Sequence, residues 1–205
     1  MTKVILVRHG QTVWNHAMRY QGHTDVELTE TGLGQAKLVA ERLRPEPIQA
    51  VYASDLSRAF QTAEEIARFH ALPVQSVPEL REIKFGEWEG LTYDEIYARW
   101  PEIMDKFYTH TDEIQIPGGE SFKELKERAE EAIQKLIRQH EGETIAVVSH
   151  GGTIRALLCA ALNIHLNFVW NIRQDNTAVN IIEYHNDRAI VALVNDIHHL
   201  APPQP

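Results

Sequence analysis

The chain opens on a continuous apolar run, Val4-Ile5-Leu6-Val7, that stops abruptly at Arg8-His9-Gly10. An unbroken, largely β-branched run of that length predicts a strand covered on both faces in a parallel sheet. After a polar stretch, Thr29-Glu30-Thr31-Gly32 leads into Ala36, Val39, Ala40 and Leu43, whose spacing predicts a helix that ends before Pro45. Ala50-Val51-Tyr52-Ala53 predicts a second strand. Ser54, Asp55 and Ser57 are candidate caps for the helix that follows, with Ala59, Thr62, Ala63, Ile66 and Ala67 on one face. Val74 to Val77 is a further strand candidate.

The rhythm breaks between about 91 and 119. Thr92-Tyr93-Asp94-Glu95 is a capping box before a short aromatic-rich helix that Pro101 interrupts, so this segment reads as an insertion over one edge of the sheet. Ser121 to Glu124 is a second capping box, opening a long helix with Phe122, Leu125, Ala129, Ile133, Leu136 and Ile137 on one stripe and Gly142 as its expected C-cap. Thr144 to Ser149 predicts a strand that stops at His150-Gly151-Gly152, and Thr153 to Leu162 a helix. Ala178 to Tyr184 and Ala189 to Val194 flank the turn His185-Asn186-Asp187 as a β-hairpin. Alternating strands and helices predict an α/β fold: a mostly parallel sheet covered by helices on both faces, with an antiparallel edge from the hairpin. A single domain is expected over 1–200, with a loose tail at 201–205.

The 205 residues carry 20 Lys and Arg against 29 Asp and Glu, a formal charge of −9, so neither nucleic acid nor a membrane surface is an expected partner. An anionic substrate then needs a local basic pocket set against the overall field. The single cysteine, Cys159, excludes an internal disulfide and a thiolate-rich metal site; within Leu157 to Leu162 it reads as packing. The apolar run ahead of Arg8 is too short for a secretory core and no run reaches membrane-spanning length, so a cytoplasmic location is expected.

In helix-covered parallel sheets ligands bind beyond the carboxyl ends of the strands. Three strand-to-helix junctions put reactive groups there: Arg8-His9-Gly10, Ser54-Asp55 with Arg58 one turn on, and His150-Gly151-Gly152. One histidine at a strand end is commonly structural, but two His-Gly endings with two arginines at one rim are hard to attribute to packing. Glycine after each histidine lets a ligand approach the backbone and leaves a helix N-terminus, itself an anion site, uncrowded. Arg8, Arg58, His9 and His150 thus describe a pocket for a tetrahedral dianion, since the planar guanidinium fork matches phosphate oxygens. A neutral imidazole there is also a competent nucleophile at phosphorus. The cluster itself supplies the positive charge that phosphoryl transfer needs; no Walker loop, zinc-spaced histidine pair or carboxylate cluster points to a metal, and no cofactor is expected.

Departure of an alkoxide requires an acid. The segment Glu79 to Gly90 offers Glu79, Glu82, Glu87 and Glu89. Glu82, flanked by Ile83 and Phe85, is the best placed to be desolvated, and burial and nearby phosphate charge both favour a protonated carboxyl. The residues alone leave the other three open.

The string Arg8-His9-Gly10-Gln11-Thr12-Val13-Trp14-Asn15 resembles the signature of the histidine phosphatase superfamily, the phosphoglycerate mutase-like proteins. Further similar motifs follow in order along nearly the whole chain. They are Tyr20-Gln21-Gly22, Leu28 to Gly32, Ala53 to Ala59 with Gln61-Thr62-Ala63, Leu80 to Ile83, Gly86 to Gly90, Pro117 to Ser121, and Val147 to Gly151. The resemblance implies that His9 is the phosphorylated nucleophile, that Arg8, Arg58 and His150 form the phosphate pocket, and that Glu82 is the proton donor. It also implies that Asn15, Gln21 and Gly22 line phosphate or substrate, with Thr12 and Gly151 close by. Gln11 stands where Glu is common. Ile83-Lys84-Phe85-Gly86 follows the acid in place of Arg-His-Tyr-Gly, and the short middle segment lacks a paired-arginine motif. These departures disfavour a bisphosphoglycerate-dependent mutase and favour the phosphatase branch, which includes α-ribazole, phosphoserine and broad-specificity phosphatases. Asp175-Asn176-Thr177 is similar to the α-ribazole phosphatases.

The expected function is therefore metal-independent hydrolysis of a small phosphorylated metabolite through a phosphohistidine. The alternatives are the mutase and a non-catalytic phosphoester-binding module. A homodimer is compatible with the sequence. Trp88, Tyr93, Tyr97, Trp100, Phe107 and Tyr108 read as the insertion's own core ahead of a leaving-group pocket. Arg81, Lys84 and Arg99 read as exposed ion-pair formers, and His198-His199 is a further candidate to reach the pocket.

Overall fold

The computed structural model describes residues 1–186 and 188–201. The first apolar run becomes β1 (Thr2–Arg8), with Val4 to Val7 at most 1% exposed. A single turn, α1 (Val13–His16), leads to α2 (Glu30–Leu43), whose N-terminus is capped by Thr29. The chain continues through β2 (Ile48–Ala53), α3 (Ser57–His70) and β3 (Val74–Ser76), then through the short helices α4 (Tyr93–Arg99) and α5 (Pro101–Phe107). After these come α6 (Phe122–Gln139), β4 (Thr144–Ser149), α7 (Gly151–Leu162) and the hairpin of β5 (Val179–Tyr184) and β6 (Ala189–Asp196).

The six strands lie in the order β3-β2-β4-β1-β5-β6. The pairs β1·β4, β4·β2 and β2·β3 are parallel, whereas β5 is antiparallel to both β1 and β6. The reversed strand is therefore β5, and β6 at the margin runs in the common direction. Alternation along the strands sends Ile5 and Val7 towards α2 and α3, where they meet Val39, Ala40 and Ile66. Val4 and Leu6 face α6 and α7, meeting Ile133, Leu136 and Leu157. A third cluster anchors the 91–119 segment: Trp88, Met104, Phe107 and Ile116 pack on Phe122, Leu125 and Cys159. Burial pushes the Cys159 thiol up to about 11, in keeping with packing and not reactivity.

Both capping boxes form, at Thr92 and at Ser121. The α3 N-terminus differs from the sequence expectation. Its N-cap is Leu56, and the orphan Ser57 N–H donates to Asp25 Oδ1 at 2.9 Å from a loop 32 residues away. Asp55 is instead occupied by Arg81. Helix α7 starts two residues ahead of the expected Thr153, and α6 closes on His140, with Gly142 in the following turn at φ +86°. Asp187 of the expected hairpin turn and 202–205 of the tail lie outside the described residues. No helix among the described residues is long and apolar enough to cross a membrane.

Candidate active site

Parallel register aligns Arg8 with Ser149 and Ala53 with Val148, so the carboxyl ends of β1, β2 and β4 share one rim. The residues that follow them converge there. His9 Nδ1 lies 2.7 Å from Gly10 O; a carbonyl only accepts, so Nδ1 carries the hydrogen and Nε2 keeps its lone pair. The His9 carbonyl accepts from Asn176 Nδ2 at 3.1 Å and from Thr177 N at 3.3 Å, which fixes the residue from behind. The His150 ring lies 5.1 Å away, centroid to centroid, with Nε2 2.8 Å from Ser54 Oγ. That oxygen also accepts from Leu56 N; when its own hydrogen goes to Nε2, His150 Nδ1 carries the N–H.

Arg8 and Arg58 have no carboxylate partner among the described residues. Arg58 donates to the carbonyls of Thr24 and Gly22 at 2.9 and 2.8 Å, and Arg8 donates to Gln174 O at 2.6 Å. Arg8 Nε, Arg58 Nε and His150 Nδ1 are buried without a hydrogen-bond partner. Each such donor costs about 1–3 kcal/mol when left open, a cost that an anion placed among them would remove. Burial pushes both guanidinium groups down to about 10, so they remain cationic at neutral pH. Burial, with the charges of Arg58 and Arg8, holds His9 well below the ordinary imidazole range; burial and Arg58 do the same to His150.

Both rings are therefore neutral in the fold but take up protons in the unfolded chain below about pH 6.5. The unfolded state then binds more protons, so stability is full above that pH and falls as the pH drops through it. The slope is up to about 1.4 kcal/mol per pH unit for each ring. Thermal unfolding without phosphate should show the melting temperature falling between pH 7 and 5.5, with a shallower slope in His9→Gln; a flat profile would contradict neutral burial.

Glu82 sits at the N-terminus of α7. Its Oε2 accepts from Gly152 N at 3.1 Å, and Oε1 accepts from Ile83 N at 3.0 Å and Thr153 N at 3.2 Å. A Cβ on Gly152 would collide with this carboxylate, so glycine is what permits the approach. Glu89, by contrast, accepts from His23 N and Thr24 N and so holds the loop whose carbonyls engage Arg58. Of the four carboxylates in the segment, Glu82 is the one on the cavity wall.

The cavity that opens at this rim measures about 200 Å³. Arg8, His9, Asn15, Gln21, Arg58 and Gly151 line it together with Glu82, while His150 lies beneath the wall. Thr12 and Gly22 support it from behind. Thr12 Oγ1 caps α1 and donates to Gln21 Oε1 at 2.8 Å, and Gly22, at φ +57°, offers its carbonyl to Arg58. Among the described residues no group of three or more His, Cys, Asp or Glu side chains is arranged to hold a metal ion.

The family model for the histidine phosphatase superfamily (branch 1) matches residues 4–197. The chain belongs to this superfamily. A metal-independent phosphoserine phosphatase of Arabidopsis thaliana is 38% identical over 98% of this chain and 84% of its own. Phosphoglycerate mutase-like protein 4 of the same plant is 41% identical over 97% and 86%. The crystal structure of a phosphoserine phosphatase mutant from Entamoeba histolytica in complex with phosphoserine superposes with a TM-score of 0.90, at 31% identity, covering 98% of this chain and all of that one.

In this histidine phosphatase the cavity wall also holds residues that sequence reasoning missed: Arg155, Tyr20, Phe85 and Trp170, with Met18 and Arg19 at its margin. Arg155 had a signal, since it lies six residues past the end of β4 at Ser149, much as Arg58 lies five past the end of β2 at Ala53. The aromatics had none, because they reach the wall from separate elements. Trp88 and Phe107 are wholly buried in the core, and Tyr93, Tyr97 and Tyr108 are exposed. Arg81 pairs with Asp55 and Arg99 lies over Trp100, away from the cavity wall. His199 Nε2 lies 3.1 Å from Thr177 Oγ1 and its ring backs the Asn176 loop without lining the cavity.

Proposed function

We propose that the protein hydrolyses small phosphomonoesters in two in-line transfers through a phosphohistidine at His9. The observation that carries this reading is the set of three buried, unpartnered donors gathered around a neutral imidazole. In the first step His9 Nε2 forms a bond to phosphorus as the P–O bond to the leaving group breaks, and Glu82 gives its proton to the departing alkoxide. In the second, water attacks the phosphoryl group, Glu82 takes the proton, and the P–N bond breaks to release orthophosphate and neutral His9. Arg8, Arg58 and His150 carry the charge on the phosphoryl oxygens in both steps, so positioning and electrostatics do most of the chemistry. Asn15, Gln21 and Gly151 complete the substrate wall, with Thr12 and Gly22 holding it in place.

O-phosphoserine is the first substrate to test, by similarity to the relatives named for it. In this reading the 91–119 segment belongs to the same single domain and covers the site, which is supported by the bond from Trp170 Nε1 to Phe107 O and by the pairing of the Tyr108 and Tyr20 hydroxyls. Orthophosphate should be released from O-phosphoserine at the same rate with and without EDTA. Loss of activity in EDTA would overturn the metal-free scheme; isomerised product that requires a bisphosphate primer would favour the mutase. Intact binding without phosphate release would favour the binding module.

A further inference from the structure

We propose that Arg155 reads a carboxylate on the substrate, so that the preferred esters are small phosphorylated carboxylic acids. The proposal rests on the phosphoester reading of the pocket and adds the group that distinguishes one ester from another. Arg155 projects from α7 into the cavity wall. Its Nε donates to Ile172 O at 2.7 Å, and its Cζ lies 5.3 Å from the centre of the Trp170 ring, so the fork is held in one orientation before any ligand arrives. A Cβ built on Gly151 would lie 3.0 Å from Arg155 Nη1 and 3.4 Å from Arg8 Nε. The two guanidinium groups therefore flank one point at the start of α7.

The charge balance points the same way. Arg8, Arg58 and Arg155 all lack a carboxylate partner among the described residues, whereas Arg19 on the same wall is paired with Glu95 at 3.0 Å. Glu82 is the one carboxylate of the wall, and its oxygens are taken up by the backbone N–H groups of Ile83, Gly152 and Thr153, not by a guanidinium. The phosphate dianion takes Arg8 and Arg58 in this reading, which leaves the Arg155 fork without an anionic partner; Asp175 lies behind the wall, beyond ion-pair distance. A substrate carboxylate supplies the missing negative charge, and the forked geometry suits a bidentate pair. Because Arg8 and Arg155 flank the same point at Gly151, the two anionic ends of such a ligand stand only a few carbon atoms apart.

The test is binding, measured by calorimetry on His9→Ala protein so that no ester is consumed. O-phosphoserine and O-phosphoethanolamine form the matched pair, differing only in the carboxylate. Phosphoserine should bind about 10- to 100-fold more tightly. In His9→Ala/Arg155→Met the preference should fall towards one, and His9→Ala/Arg155→Lys, which keeps the charge but loses the fork, should retain part of it. Equal affinities in the parent would overturn the proposal. So would an equal loss for both ligands in Arg155→Met, which would put the guanidinium on the phosphate. Failure of the wild type to release phosphate would overturn hydrolysis alone, and an intact preference would still support Arg155 as the carboxylate reader.

Discussion

His9→Ala is expected to lower turnover by at least about 10⁴-fold while leaving a protein that still binds orthophosphate. The substitution removes Nε2, the atom proposed to bond to phosphorus, and with it the covalent route. It leaves Arg8 Nε, Arg58 Nε and His150 Nδ1 in place, the donors that lack protein partners. Binding and chemistry should therefore separate, with calorimetry detecting orthophosphate and a phosphate-release assay detecting no product above background. Residual turnover within about tenfold of wild type would assign the nucleophile elsewhere.

Glu82→Gln should lower kcat by about 10²- to 10⁴-fold with KM changed only a few-fold. The amide matches the carboxylate in size and its oxygen can still accept from Ile83 N and Thr153 N, so the wall keeps its shape. Its amino group meets the Gly152 N–H, a donor facing a donor, which costs about 1–3 kcal/mol of stability. What it cannot do is give a proton to the leaving oxygen. The loss in kcat/KM should therefore be smaller for p-nitrophenyl phosphate, whose leaving group needs little protonation, than for an alkyl ester such as phosphoserine. Equal losses on both esters would mean that Glu82 acts by positioning and not as the acid.

The reactive cluster was legible because its signals are local. Arg8-His9-Gly10 and His150-Gly151-Gly152 each end an apolar run, and the sheet rule brings strand ends to one rim without knowledge of any long-range contact. Arg58 follows from its place five residues past the end of β2, in the first turn of α3. Asp25, which satisfies Ser57 at the start of α3, gave no such signal, because a cap supplied from another loop leaves no fixed spacing in the sequence. Asn176, which grips the His9 carbonyl from 167 residues away, stood out through resemblance alone, and Phe85 and Trp170 reach the wall from separate segments that tertiary packing brings together. Glu82 illustrates the middle case. Spacing offered four carboxylates, and what separates Glu82 from Glu89 is which backbone N–H groups each accepts, a fact of tertiary structure.

The central claim is a covalent bond between phosphorus and the His9 ring. Wild-type protein mixed with a radiolabelled phosphomonoester and quenched in alkali within the first turnovers should yield label on the peptide that carries His9. That label should survive base, be lost in acid, and be absent from His9→Ala. Label on any other residue, or full-rate turnover with no protein-bound phosphate at any quench time, would contradict the account.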